Sequence, residues 1–316
     1  MSGSLARSPR SSILLVLAAG AALSAQTTPA DPLIRENATV KVSDHVYVIP
    51  DANVPLVPNV GFIVGSRATL VVDTGMGLRN GQTVARELAK VSTHDELYVV
   101  STHFHPEHAL GEAAFPPTAR IVRARTQQQD IDEFGLSLAE TFASRSAVNK
   151  QLLDGARYRK ADIVFDGEHT IDLGGVRVRL MALGPTHTRG DTVAWVENDR
   201  VLFTGDIVMN GTFVAFASPY SSVRAWLAAL DRLAPLDPAR IVPSHGEMGD
   251  ASLIAKDKAY LSAVQNRTRA LRAGGKSADE CIAIATGEMQ AQFPGWTNLP
   301  RVGAAVRSAF AEAGPP

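Results

Sequence analysis

Between residues 40 and 72 short apolar runs alternate with turn residues. The runs at 46–49, 61–64 and 70–72 read as strands, the last ending at Asp73-Thr74-Gly75. A helix is expected next, capped by Asn80, with Val84, Leu88 and Val91 at i, i+4 and i+7 on one buried face. Residues 97–100 form another strand, which empties directly into His103-Phe104-His105-Pro106-Glu107-His108. The stretch 126–158 is polar and free of proline, so it reads as one or two helices inserted between strands, placed to lie over a site. Strands resume at 163–165, 169–173, 176–182, 192–196 and 201–203, with hairpin turns at Gly174-Gly175 and Asn198-Asp199. Ser221 is the expected cap of a further helix, whose stripe is Val223, Trp226, Leu227, Leu230 and Leu233. A short strand at 241–242 precedes Ser244-His245-Gly246, and beyond Ala251 the pattern is helical, with stops at Gly274-Gly275 and Pro294-Gly295. Two strand-rich halves, each flanked by helices, predict an α/β protein built as a sheet sandwich with helices on its outer faces.

The N-terminus breaks this pattern. Arg7 and Arg10 precede an apolar run at 13–23, and small residues follow at Ala22, Ser24 and Ala25, the layout of a secretory signal peptide. The run is shorter than the ~20 residues that cross a bilayer as a stable helix, so no membrane anchor is expected after cleavage. The expected organisation is a signal peptide at 1–25, a linker at 26–37, the sandwich domain at 38–250 and a C-terminal helical extension of the same domain at 251–316. The expected location is periplasmic or secreted.

Composition narrows the function. The chain has 316 residues with 31 basic and 32 acidic side chains, so no sequence-wide positive field exists to hold nucleic acid. With the single cysteine Cys281 it has neither an intrachain disulfide nor a cysteine-rich zinc module. Cys281 sits in a helix-like context without an adjacent base and reads as a small hydrophobe. Any metal site must be built from His, Asp and Glu.

Of the eight histidines, His103, His105, His108, His187 and His245 fall in loops, most of which begin where an apolar strand ends, and Asp206 follows another strand in Phe203-Thr204-Gly205-Asp206. The rim of a sandwich is where polar side chains converge without burying unpaired charge. Alternate residues His103 and His105 point the same way from an extended loop, while Glu107 and His108 point elsewhere, which predicts two adjacent metal pockets. Imidazoles and carboxylates suit zinc, and also iron or manganese. Asp191 and Thr188 are expected to shape the turn around His187, and Asn210 and Tyr220 to serve structure rather than substrate. His45, His94 and His169 do not cluster and carry no assigned role.

The ordered set resembles the metallo-beta-lactamase superfamily, whose motif His-x-His-x-Asp-His is followed by a lone His, a bridging Asp and a final His. The match runs over residues 40–246. The resemblance implies a four-layer αββα sandwich, with His103, His105 and His187 on a first ion, His108 and His245 on a second, and Asp206 bridging. Asp73 matches the family's buried structural aspartate. It also implies two zinc ions and a metal-bound hydroxide that attacks a small-molecule ester, thioester, lactone or lactam carbonyl. Asp206 stands where dedicated beta-lactamases of the superfamily usually carry Cys or Ser.

One position departs from the motif, because Glu107 occupies the place of its Asp. The extra methylene moves the carboxylate by ~1.5 Å, against a tolerance of about 0.2 Å in ligand distance. Three roles stay open to Glu107: a ligand on a shifted loop, a proton carrier for the attacking water or leaving group, or a residue that leaves the second pocket weakly filled. Three function classes also stay open, namely the zinc hydrolase, with a beta-lactamase as one alternative within it, an iron-dependent redox enzyme on the same ligands, and a binding protein that has kept the fold.

Overall fold

The computed structural model describes residues 30–314 and Met1; the expected signal peptide lies, apart from Met1, outside the described residues. The chain folds as β1 (Val40–Lys41), β2 (Val46–Ile49), β3 (Val60–Val64), β4 (Thr69–Val72), α1 (Gly77–Leu88), β5 (Leu97–Val100), α2 (Pro106–Ala109), β6 (Arg120–Ala124), α3 (Arg125–Asp130), α4 (Leu136–Ser144), α5 (Ala147–Leu153) and β7 (Ile163–Phe165). There follow β8 (Glu168–Asp172), β9 (Arg177–Ala182), β10 (Thr192–Val196), β11 (Val201–Gly205), α6 (Val223–Leu233), β12 (Arg240–Pro243), α7 (Ser252–Ala273), α8 (Ala278–Gln292) and α9 (Val302–Glu312). Strands β1 to β7 form one sheet in sequence order, and the other sheet runs β12-β11-β10-β9-β8.

The central strands read as unbroken apolar runs because both of their faces are covered. Leu70 and Val72 of β4 point between the sheets, where they join Val100, Val122, Val178, Leu180, Val201 and Phe203. Val71 of the same strand points outward and packs with Val99 and Ile121 on Val84 and Leu88 of α1. On the far side Trp195, Leu202 and Ile241 meet the stripe of α6 and the buried residues of α7, α8 and α9. The layers are therefore helix, sheet, sheet, helix. The C-terminal helices complete the outer layer of the second sheet, and Cys281 and Trp226 are buried within it.

Several local expectations are corrected. Asn80 does not cap α1 but lies in its first turn, buried, where its Oδ1 accepts the Ile34 N–H at 2.9 Å and its amide donates to the carbonyl of Pro32. Those contacts fasten residues 32–34 to α1. Ser222 rather than Ser221 caps α6, accepting from Ala225 N–H. Helix α1 stops at Leu88, so Val91 packs from the following turn. The inserted stretch holds three helices, with a π-helical turn at Ile131–Gly135 between α3 and α4. Strand β6 and the two-residue edge β1 escaped the sequence reading. Among the described residues no helix is long and apolar enough to cross a membrane.

Candidate metal centre

The site is made where strands stop. Strands β4 and β5 run parallel, as do β11 and β12, so Asp73, His103, Asp206 and His245 leave the same edge of the sandwich. Strand β9, two antiparallel steps from β11, delivers the loop that carries His187 to that edge as well. Gly205 makes the bend before Asp206 possible: its φ is +58°, and a Cβ there would stand 2.9 Å from the Cβ of Thr102.

The expected ligands converge. His103, His105 and His187 place one nitrogen each within 4.8 Å of one another, as do the ligand atoms of His103, His108 and Asp206, and those of Glu107, His108 and His245. Their rings crowd together, with centroids 4.1 Å apart for His103 and His108 and 4.8 Å for His105 and His187. Asp206 lies between the sets, 3.5 Å from His187 Nε2 and 4.0 Å from His245 Nε2. Glu107 Oε1 comes within 4.0 Å of His108 Nε2, so the longer arm does reach the second pocket.

Three of the imidazoles are oriented through their far nitrogens. His108 Nδ1 meets Asp73 Oδ2 at 2.9 Å, His187 Nδ1 meets the carbonyl of Ala215 at 2.6 Å, and His245 Nδ1 meets that of Val57 at 2.9 Å. Such partners fix the tautomer and leave Nε2 free to ligate. Asp191 holds the His187 turn as expected, accepting from Thr188 N–H at 2.8 Å and Thr188 Oγ1 at 2.6 Å.

Burial and crowding set the charges. Burial, then the neighbouring imidazoles, holds His103 and His105 well below the usual histidine range. Burial also opposes a charge on His108, but Asp73, Glu107 and Asp206 outweigh it and push it up to about 9. Burial raises Glu107 against the pull of His108 and His245, whereas at Asp206 the surrounding imidazoles overcome burial and hold the carboxyl well below its ordinary range.

Four buried atoms decide whether this arrangement suits metal ions. His103 Nε2, Glu107 Oε2, His108 Nε2 and Asp206 Oδ1 have no hydrogen-bond partner among the described residues. Unpartnered buried polar atoms are costly, so such a cluster of ligand-type atoms facing one another calls for an electrophile at its centre. The residues fit the group.

A cavity of about 830 Å³ opens over the cluster, lined by His105, Glu107, His187, Asp206 and His245 and by residues that no motif announced, among them Arg145 and Arg301. Arg145 lies in the inserted segment, its guanidinium 3.6 Å from the Phe142 ring centroid. Asn210 also lines the cavity and donates to the Glu247 carbonyl at 3.1 Å, while Tyr220 is exposed and bonded to Glu133. His45 pairs with Asp199, away from this cluster.

The profile of the metallo-beta-lactamase superfamily matches residues 53–245. The chain belongs to the metallo-beta-lactamase superfamily. Among curated relatives it is 27% identical over 194 residues to human acyl-coenzyme A thioesterase MBLAC2, covering 56% of this chain and 67% of that protein. It is 22% identical over 210 residues to a linear primary-alkylsulfatase of Pseudomonas sp., covering 56% of this chain but 39% of the sulfatase. The sec-alkylsulfatase Pisa1 from Pseudomonas sp. superposes with a TM-score of 0.66 at 13% identity, over 87% of this chain and 50% of that one. A metallo-beta-lactamase family protein from Thermus thermophilus gives 0.59 at 20% identity, over 85% and 94%. The chain thus spans about half the length of the solved sulfatase. As a superfamily member with thioesterase and sulfatase relatives, it is a hydrolase.

Proposed function

We propose that the protein is an exported, zinc-dependent hydrolase of a small-molecule thioester or ester carbonyl. The observation that carries this reading is the set of unpartnered buried ligand atoms among His103, Glu107, His108 and Asp206. His103, His105 and His187 would hold one ion and Glu107, His108 and His245 the other, with Asp206 between them. Two such ions, when bound, supply a polarised substrate oxygen and water made acidic near neutral pH. Asp73, Ala215 and Val57 keep the imidazoles aimed inward, so little reorganisation accompanies the reaction. The walls formed by Phe142, Met209 and Val54 thin the water around the substrate, which strengthens every charge interaction there. Arg145 and Arg301 supply positive charge at the cavity wall for an anionic portion of the substrate.

The choice of a thioester draws on the human acyl-coenzyme A thioesterase, and export on the N-terminal sequence pattern. Sulfate-ester hydrolysis is the second reading, favoured by the Pseudomonas alkylsulfatase likeness. A panel of acyl thioesters, aryl esters, lactones, beta-lactams and alkyl sulfates, tested on zinc-loaded protein, separates the two. We expect thioester or ester turnover, lost by about a hundredfold or more in Asp206→Ala. Turnover of alkyl sulfates alone, or of nothing in the panel, overturns the reading.

A further inference from the structure

Beside the main cavity lies a smaller one of about 160 Å³, lined by Phe104, Phe134, Ser137, Leu138, Thr141, Ala217, Ser218 and Pro219. The two share Leu138 and Ala217 as a common wall. Phe104 stands between two of the clustered histidines, its ring 5.1 Å from that of His105. We propose that this side cavity is the subsite for the aliphatic part of the acyl group, and that the protein prefers acyl chains of about six carbons over acetyl.

Two of the three hydroxyls in the lining are turned onto the wall's own backbone. Ser137 Oγ donates to the Phe134 carbonyl at 3.0 Å and Thr141 Oγ1 to the Ser137 carbonyl at 2.8 Å. Ser218 Oγ accepts the Tyr220 N–H at 3.2 Å. With the Ser137 and Thr141 protons spent on the wall's own carbonyls, Ser218 is left as the one hydroxyl in the lining that can still donate. The rest of the wall is dominated by carbon from Phe104, Phe134, Leu138, Ala217 and Pro219, which favours a largely apolar guest. A cavity of ~150 Å³ holds benzene, which sets the capacity at about six carbons.

The walls are also held before any substrate arrives. Tyr220 packs near Phe134 with tilted rings whose centroids are 6.2 Å apart, its hydroxyl donates to Glu133 Oε1 at 2.9 Å, and Arg189 lies 4.3 Å over its ring. On the inner side Ala217 N–H and Ser221 Oγ both donate to the His187 carbonyl, at 3.1 and 2.9 Å. The subsite and one of the candidate ligands therefore share a backbone frame, so a chain seated in the side cavity fixes the carbonyl relative to the cluster. The inserted segment thus sets chain length.

This inference rests on the hydrolase reading, and the experiment keeps the two apart. Acyl thioesters of two to twelve carbons are assayed on zinc-loaded wild type and Thr141→Trp, which fills the side cavity from an exposed position. Binding of hexanoate and acetate to both proteins is measured by calorimetry. We expect kcat/KM for hexanoyl over acetyl to be about tenfold or more in the wild type and to fall about tenfold in Thr141→Trp, with the hexanoate-to-acetate affinity ratio falling in parallel. Equal ratios in the two proteins overturn the subsite even if thioesters are hydrolysed. If no thioester is hydrolysed the hydrolase reading fails, and the affinity ratio alone decides the subsite.

Discussion

His108 Nδ1 and Asp73 Oδ2 stand 2.9 Å apart where neither side chain meets solvent. Asp73 is held there by three further donors, Thr102 N–H, Thr102 Oγ1 and Ser244 Oγ, and its own backbone sits at φ +62°. A left-handed conformation in a non-glycine residue persists when its surroundings over-determine it. One carboxylate thereby ties the ends of β4, β5 and β12 into a single frame around the cluster.

Asp73→Asn keeps the shape of that frame and removes its charge. The affinity of the His108 pocket for zinc is expected to fall about 10- to 100-fold, with the His103, His105 and His187 pocket changed much less. Calorimetric titration of metal-free protein reads both sites, and equal losses at the two would refute the assignment.

Glu107→Asp returns the motif residue to a backbone that accommodates the longer one. The shortened arm withdraws its carboxylate by ~1.5 Å from a pocket it now reaches, so the second ion should bind more weakly and turnover should drop. Tighter binding in the variant would mean that Glu107 is a poor substitute rather than a fitted one.

Asp257 on α7 is buried and accepts the Met209 N–H at 2.8 Å, while its other oxygen has no partner among the described residues. Burial raises its carboxyl well above the ordinary range. The native state then keeps a proton that the unfolded chain releases, so this group lowers stability as pH rises from about 4 towards its folded value. Asp257→Asn should melt higher than wild type at pH 8, with the gain shrinking towards pH 4. Thermal unfolding across that range checks it.

Glu87 on α1 shows the opposite sign. Burial raises it, but Lys90, the Thr39 hydroxyl and the Asn37 N–H overcome that and bring it to about 2. Its stabilisation is complete above the unfolded carboxyl value and disappears as pH falls through about 2. Glu87→Gln should cost on the order of 2 kcal/mol at pH 7 and almost nothing near pH 2, read by denaturant titration.

The sandwich and the convergence of the histidines were legible because their signals are local. Most of the candidate ligands lie in segments that follow apolar strands, and both the strand period and the His-rich loops survive as patterns in the chain. Caps were less legible, since Ser221 and Ser222 offer the same chemistry and only the backbone direction selects the second. Asn80 satisfied the composition of a cap yet was recruited by Pro32 and Ile34, nearly fifty residues away in sequence. The reach of Glu107 depends on the path of α2, and the side cavity depends on how α4 lies across Phe104 and Pro219; neither leaves a period or motif to read.

The most direct test of the account is a count of metal ions per chain in protein purified without chelator or added metal, by elemental mass spectrometry. The account predicts two divalent ions, zinc foremost, falling to about one in Asp73→Asn. A chain that carries no metal, and takes up none when zinc is supplied, would contradict it.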